Sequence, residues 1–163
     1  MFLHINKTIL ILFVSVICIA FDQISKYAAK VLIKPGTVIN LLGDTIRLQL
    51  AKNEGAFLSM GSSFPNEYRF WIFTILVSVM LLSLLFYYFL SKSLSTLSYL
   101  SLALVISGGF SNLIDRIVHK GVVIDFLNFG IGNLRTGILN IADMAITFGV
   151  FLLVYSFLVK SEG

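Results

Sequence analysis

Long apolar runs dominate the chain, and they end abruptly. Residues 70–90 and 94–114 carry no charge, and 138–159 carries only Asp143. Each is long enough to cross a bilayer as a helix, which needs about 20 residues. The first run, 8–21, is uncharged but has only 14 residues. To span, it must continue through "DQISKYAA" to position 29, which brings Asp22, Gln23 and Lys26 into its last third. Asp22 and Lys26 are i and i+4, so they share a helix face and can pair locally. That pairing explains them as well as any functional role does. The expected spans are 8–29, 68–90, 94–116 and 138–159.

Four spans place both termini on one side. Lys7, Lys92 and Lys160 lie on that side, whereas Lys26, Lys30, Lys34, Arg47, Lys52, Arg69, Arg116, Lys120 and Arg135 lie on the other. A positive-inside count puts the termini outside. Several of the counted residues sit in structured segments, so the count leaves orientation open.

The pattern changes between the spans. In the segment 30–67, "TIRLQLA" alternates, with Ile46, Leu48 and Leu50 on one face and Arg47 and Gln49 on the other. That is the period of a half-buried strand. "VINLL" precedes it, and Gly43-Asp44 suits a tight hairpin turn with glycine first. "AFLSMG" reads as an interfacial segment, a candidate lid, and Pro65 precedes the second span. The segment 117–137 reads as a loop returning to the same side.

Composition agrees with the pattern. Of 163 residues 58% are hydrophobic and 12% charged, about half the charge of an ordinary soluble domain; the mean hydropathy is +0.96. The fold class is an α-helical membrane protein, one domain over 1–163, with four transmembrane helices, a small extracytoplasmic hairpin and an interfacial segment. The net charge of +4 suits anionic headgroups. No basic cluster with aromatic partners points to nucleic acid. Cys18, the single cysteine, excludes an internal disulfide, and His4 and His119 are isolated, without metal-ligand spacing. "SGGF" lies inside a span, where Gly108 and Gly109 let helices approach closely rather than cradle a phosphate. Lys7 and its apolar run resemble a signal peptide, but no small-x-small cleavage site follows, so a retained helix is expected.

The polar residues converge on one end. Asp22 closes the first span, and Asn53 and Glu54 follow the hairpin. Asn112, Asp115 and Arg116 end the third at i, i+3 and i+4, Asp125 lies in the next segment, and Asn140 and Asp143 open the fourth. Local pairing with Arg116 accounts for Asp22 or Asp115. It accounts less well for Asp125 and Asp143. Two carboxylates held close cannot both ionise, and such a pair can polarise water and protonate a leaving group. Spacing leaves open whether these two meet.

"FDQISK", "NEGAF", "SNLIDR", "VVIDF" and "LNIAD" resemble, in order and separation, the motifs of the lipoprotein signal peptidases (signal peptidase II) along the whole chain. The resemblance implies an aspartyl intramembrane endopeptidase that removes the signal peptide of diacylglyceryl-modified prolipoproteins just before the lipidated cysteine. It implies Asp125 and Asp143 as the catalytic pair, with Asp22, Lys26, Asn53, Gly55, Asn112, Asp115, Arg116 and Asn140 in binding or support. It also implies no metal or cofactor, a globomycin-type inhibitor, a bacterial cytoplasmic membrane, cytoplasmic termini and an active site near the outer leaflet. A monomer among membrane lipid is expected. Arg116 is the expected tie behind the pair, and Asn53 and Asn112 the expected holders of the substrate backbone. Two departures stand out: Ser111 occupies a position where the family usually has Gly, and one residue rather than two separates Gly55 from Phe57. The rival readings are a proton- or cation-coupled transporter, whose polar groups should string through the membrane's depth, and a non-catalytic assembly protein.

Overall fold

Four helices carry the apolar runs in the computed structural model, which describes residues 6–55, 66–92 and 94–161. They are α1 (Lys7–Leu32), α2 (Asn66–Leu90), α3 (Thr96–Val118) and α4 (Ile141–Ser161). All four are long and apolar enough to cross a membrane. The expected "AFLSMG" lid, Pro65 and His4 lie outside the described residues.

α3 is the central post, packing against α1, α2 and α4. Its small residues make that possible. A Cβ on Gly108 would lie 2.6 Å from the Ala142 carbonyl oxygen, and one on Gly109 would run into the Leu81 side chain. The close-approach role expected of these two glycines is therefore met. Hydroxyl pairs stitch the same interfaces: Ser15 with Ser107 at 2.9 Å and Ser98 with Ser156 at 2.9 Å. Ile11, Tyr88, Leu102, Ala103 and Ile106 form the core between helices. Large apolar side chains such as Phe13, Val16, Trp71, Phe86 and Phe151 point outward and exposed. In lipid that is the stable arrangement, since the helices satisfy their own backbone groups.

Above one end of the bundle lies a four-stranded antiparallel sheet in the order β1 (Ile39–Leu41), β2 (Ile46–Asn53), β3 (Val123–Ile131), β4 (Leu134–Arg135). The expected hairpin forms, with Leu41 opposite Ile46. Its connection is longer than a two-residue Gly-Asp turn: residues 42–45 make it, with positive φ at Leu42, Gly43 and Asp44. Arg47 holds Asp44 through two bonds of 2.6 Å, which keeps the Asp44 carboxyl below the usual carboxylate range. Leu48 and Leu50 pack on Ala29, Ile33 and Phe126, seating the sheet on the end of α1.

The segment 117–137 is not a plain loop. Its β-rich "VVIDFLNFGI" forms β3 against β2, and a two-residue turn, with Gly132 at φ 56, reverses it into β4. Between Leu48 and Ala51 the β2–β3 register shifts by one residue, a bulge that sets Ala51 opposite Asp125 and Asn53 opposite Val123.

Candidate active site

Asp125 reaches the site from the sheet. Strand alternation puts Ala51, Asn53, Val123 and Asp125 on one face, and Asn53 Nδ2 donates diagonally to Asp125 Oδ2 at 3.0 Å. Asn140 Nδ2 donates to the other oxygen, Oδ1, at 2.6 Å. The carboxyl is 1% exposed. Burial first, and then the neighbouring Asp143 charge, raise its pKa to about 7, against the two amide bonds that favour the ionised form.

Asp143 comes from the first turn of α4, and its setting is a capping box. Asn140 is the residue before the helix; its Oδ1 accepts from Asp143 N at 2.8 Å, and Asp143 Oδ2 accepts from Asn140 N at 3.3 Å. This reciprocal cap fixes the helix start at Ile141 rather than 138, so Asp143 sits nearer the helix end than the apolar run implied. Its Oδ1 accepts from Asn112 Nδ2 at 2.9 Å. Asn140 therefore touches both carboxylates. The Asn53 and Asn112 amides, expected to hold a substrate backbone, are each engaged by one of the two acids.

A buried polar layer supports this pair, and its hub is Lys26. The ammonium lies 2.7 Å from Asp22 Oδ2 and 2.9 Å from Asp115 Oδ2, and it donates to Asn112 Oδ1 at 2.9 Å. Three donors meet three acceptors. Asp22 also accepts from Ala142 N at 2.9 Å and Ser111 Oγ at 2.7 Å. Asp115 accepts from Gln23 Nε2 at 3.0 Å and from Ile124 N at 3.1 Å, so it pins the strand one residue before Asp125. Arg116 does not gather these carboxylates, contrary to expectation. Its Nη1 donates to the Gly121 carbonyl at 3.0 Å and its Nη2 to the Gly55 carbonyl at 2.8 Å, and its guanidinium lies over Phe73. It braces the loop that carries Gly55. The local pairing of Asp22 and Lys26 is real, but it joins α1 to α3 as well.

Among the described residues, neither Asp125 nor Asp143 forms an ion pair. Asp143 borders a space between helices, and Asn53, which bonds Asp125, borders the same space. A cavity of about 270 Å³ is lined by Val77 and Met80 of α2, Ile146 of α4, and the polar Asn53, Asn112, Arg116 and Asp143. Polar groups crowd one end of the bundle, and the core at the other end is apolar but for its hydroxyl pairs.

A family model described as signal peptidase (SPase) II matches residues 14–159. The chain belongs to the signal peptidase II family. Lipoprotein signal peptidases are among its relatives: that of Borreliella burgdorferi is 35% identical over 150 residues, covering 88% of this chain and 87% of the relative. That of Burkholderia ambifaria is 39% identical over 153 residues, covering 92% and 88%. Two solved structures, each described as a bacterial membrane enzyme, share the fold. One has a TM-score of 0.77 at 27% identity, covering 93% of this chain and 88% of that one; the other has 0.75 at 28%, covering 91% and 92%. The resemblance read from the five motifs thus holds along the chain. The protein is a multi-pass bacterial membrane peptidase of the signal peptidase II type, and the comparisons lend the transporter reading no support. Within this signal peptidase II site, Ser111, noted in the motifs only as a departure, and Gln23 are not among the expected site residues, yet both bond the buried carboxylates. The signal for Ser111 was present: it stands four residues before Asp115, on the same helix face as that carboxylate.

Proposed function

We propose that this signal peptidase II is an aspartyl endopeptidase in which Asp125 and Asp143 share one proton across a water molecule. Its substrate is a diacylglyceryl-modified prolipoprotein, cut just before the lipidated cysteine. The observation that carries the reading is that one residue, Asn140, bonds both carboxylates while, among the described residues, no cation pairs with either.

The chemistry follows from that arrangement. Each carboxylate oxygen accepts one amide hydrogen bond and keeps a second lone pair. One acid, ionised, takes a proton from water as its oxygen attacks the scissile carbonyl carbon. The other, protonated, donates to the carbonyl oxygen, giving a gem-diol. The acid that took the water proton then passes it to the leaving amide nitrogen, and its partner takes back a hydroxyl proton as the C–N bond breaks. Asp125, with its pKa near 7, suits the member that holds the proton, although the proton belongs to the pair. Lys26 orients Asn112 so that its amide group faces Asp143, and a substrate backbone displaces or shares the Asn53 and Asn112 amides.

Cavity size shapes the substrate mode. At about 270 Å³ it lies just below the roughly 300–1,000 Å³ of pockets that enclose a drug-sized ligand. It holds the residues flanking the bond, while the acyl chains stay in lipid. α2 and α4 each pack on α3, and the cavity between them gives the signal helix a lateral entry. The whole chain acts as one domain and as a monomer, with cytoplasmic termini, the sheet at the outer leaflet of the cytoplasmic membrane, and a globomycin-type inhibitor at the acid pair.

Cleavage of a purified lipidated precursor tests the assignment. Asp125→Asn and Asp143→Asn should each abolish cleavage in a protein that still folds, because asparagine cannot exchange the proton. Activity kept by either variant ends the proposal.

A further inference from the structure

The reverse face of the strands that carry Asp125 holds a second, basic cavity. Alternation along β2 and β3 puts Asn53 and Asp125 on one face, and Lys52 and its register partner Ile124 on the other. There Lys52, Val118, His119, Lys120, Val122 and Ile124 line about 300 Å³. Lys30, in the last turn of α1, brings its Nζ to 3.5 Å from His119 Nε2. Among the described residues, none of these four basic side chains pairs with a carboxylate. Uncompensated positive charge therefore collects around one hollow.

One further observation points to an anion, and another sets Lys120 apart. Lysine can only donate, so its approach to His119 Nε2 leaves the ring proton on Nδ1. That Nδ1 is buried and has no partner among the described residues, a donor without an acceptor on a residue that lines the hollow. Lys120 stands at φ 53, just past α3, where the Gly121 N–H closes on the Arg116 carbonyl at 2.7 Å. That closing turn favours glycine at the left-handed position, and a non-glycine residue there is held at a cost.

The surroundings choose the anion's source. Below the cluster, Val31 and Leu32 of α1 and Ile117 and Val118 of α3 are exposed, large and apolar, at the ends where both helices leave the membrane. A phospholipid uses both halves of this surface, phosphate above and acyl chain below; free phosphate uses one. We propose that Lys30, Lys52, His119 and Lys120 form a binding site for the phosphate of an anionic phospholipid, seated behind the sheet that carries Asp125. Bound lipid holds that sheet at headgroup level, as Asp115 holds it from the bundle side through Ile124 N. The site is independent of the peptidase assignment, and its test reads binding rather than cleavage.

Native mass spectrometry of the full chain, with phosphatidylglycerol and phosphatidylcholine of identical acyl chains, tests it. The wild type should retain one phosphatidylglycerol in preference to phosphatidylcholine. Lys30→Gln and Lys52→Gln should each weaken that retention about fivefold. Lys92→Gln, in the turn between α2 and α3, should leave it unchanged. Lys120→Gly should weaken retention while raising the melting temperature, because glycine relieves the positive φ. A rise in melting temperature with unchanged retention overturns the proposal, and so does an equal loss in Lys92→Gln. Displacement of the lipid by excess inorganic phosphate overturns the lipid assignment in favour of a small-anion site.

Discussion

Lys26 Nζ donates to Asn112 Oδ1 at 2.9 Å, and this bond turns the other end of the Asn112 amide toward Asp143. The same ammonium pairs with both Asp22 and Asp115. One buried lysine thus holds α1 to α3 and aims a hydrogen-bond donor at an acid on α4. Replacing it by methionine keeps the volume and strands two buried carboxylates. Breaking a buried pair by removing one partner costs about 3–5 kcal/mol. Lys26→Met should therefore unfold at a markedly lower temperature in detergent and lose turnover in whatever fraction remains folded. An unchanged melting temperature would show that the carboxylates find other partners.

The pH profile follows from Asp125. Its folded-state pKa is raised to about 7, so the proton it shares is present below that pH and lost as pH rises through it. Cleavage should fall across the alkaline side of neutrality. The Asn53 hydrogen bond opposes the upward shift. Asn53→Ala removes it, so the alkaline limb should move to higher pH while the maximum rate drops. A limb that moves down, or not at all, contradicts the proton assignment. The measurement is initial rate against pH with one lipidated peptide substrate.

Gly108 tests the helix packing that places Asp143. A methyl group there meets the Ala142 carbonyl oxygen and Ile146 Cγ1, at 2.6 and 2.8 Å. Both are parts of α4, and Ala142 immediately precedes Asp143. Overpacking of this kind costs about 1–3 kcal/mol. Gly108→Ala should lower thermal stability by that amount and reduce turnover as α4 shifts from α3. Full activity with normal stability would mean that the interface yields without moving the acid.

Ser111 stands where the family resemblance leads one to expect glycine, and the structure gives the hydroxyl a task. It donates to Asp22 Oδ2 at 2.7 Å and lies 3.1 Å from Gln23 Nε2. A hydrogen bond to a charged group contributes about 1.5–3 kcal/mol. Ser111→Gly should cost stability in that range, while Asp22 keeps its Lys26 and Ala142 partners and cleavage stays near wild type. Thermal unfolding and a turnover assay on the same preparation separate the two effects.

Much of the site was legible because its residues lie at the ends of recognisable elements. Asp22 follows an apolar run too short to span, and Asn112, Asp115 and Arg116 fall on one helical face. "LNIAD" carries the Asn-x-x-Asp spacing of a capping box, which sets α4 to start at Ile141. β3 was less legible. "VVIDFLNF" is buried almost throughout, so it lacks the alternation that marked β2, although Gly132-Asn133 was a usable hairpin signal.

By itself the sequence determined the four membrane helices, the first hairpin, the end of the bundle where polar groups gather, and the motifs that mark a signal peptidase II. Those features are local: apolar length, period and neighbouring residue types decide them. Only the tertiary structure decided which cation serves which carboxylate. Spacing allowed Lys26 to Asp22 within α1 and Arg116 to Asp115, yet the rotation and depth of α1 against α3 deliver Lys26 to Asp115 and Asn112 as well, while Arg116 turns to the Gly55 and Gly121 carbonyls. It also brought Lys30, Lys52, His119 and Lys120 from three elements to one hollow. Such meetings depend on how whole helices and strands pack against one another, and no window along the chain contains that information.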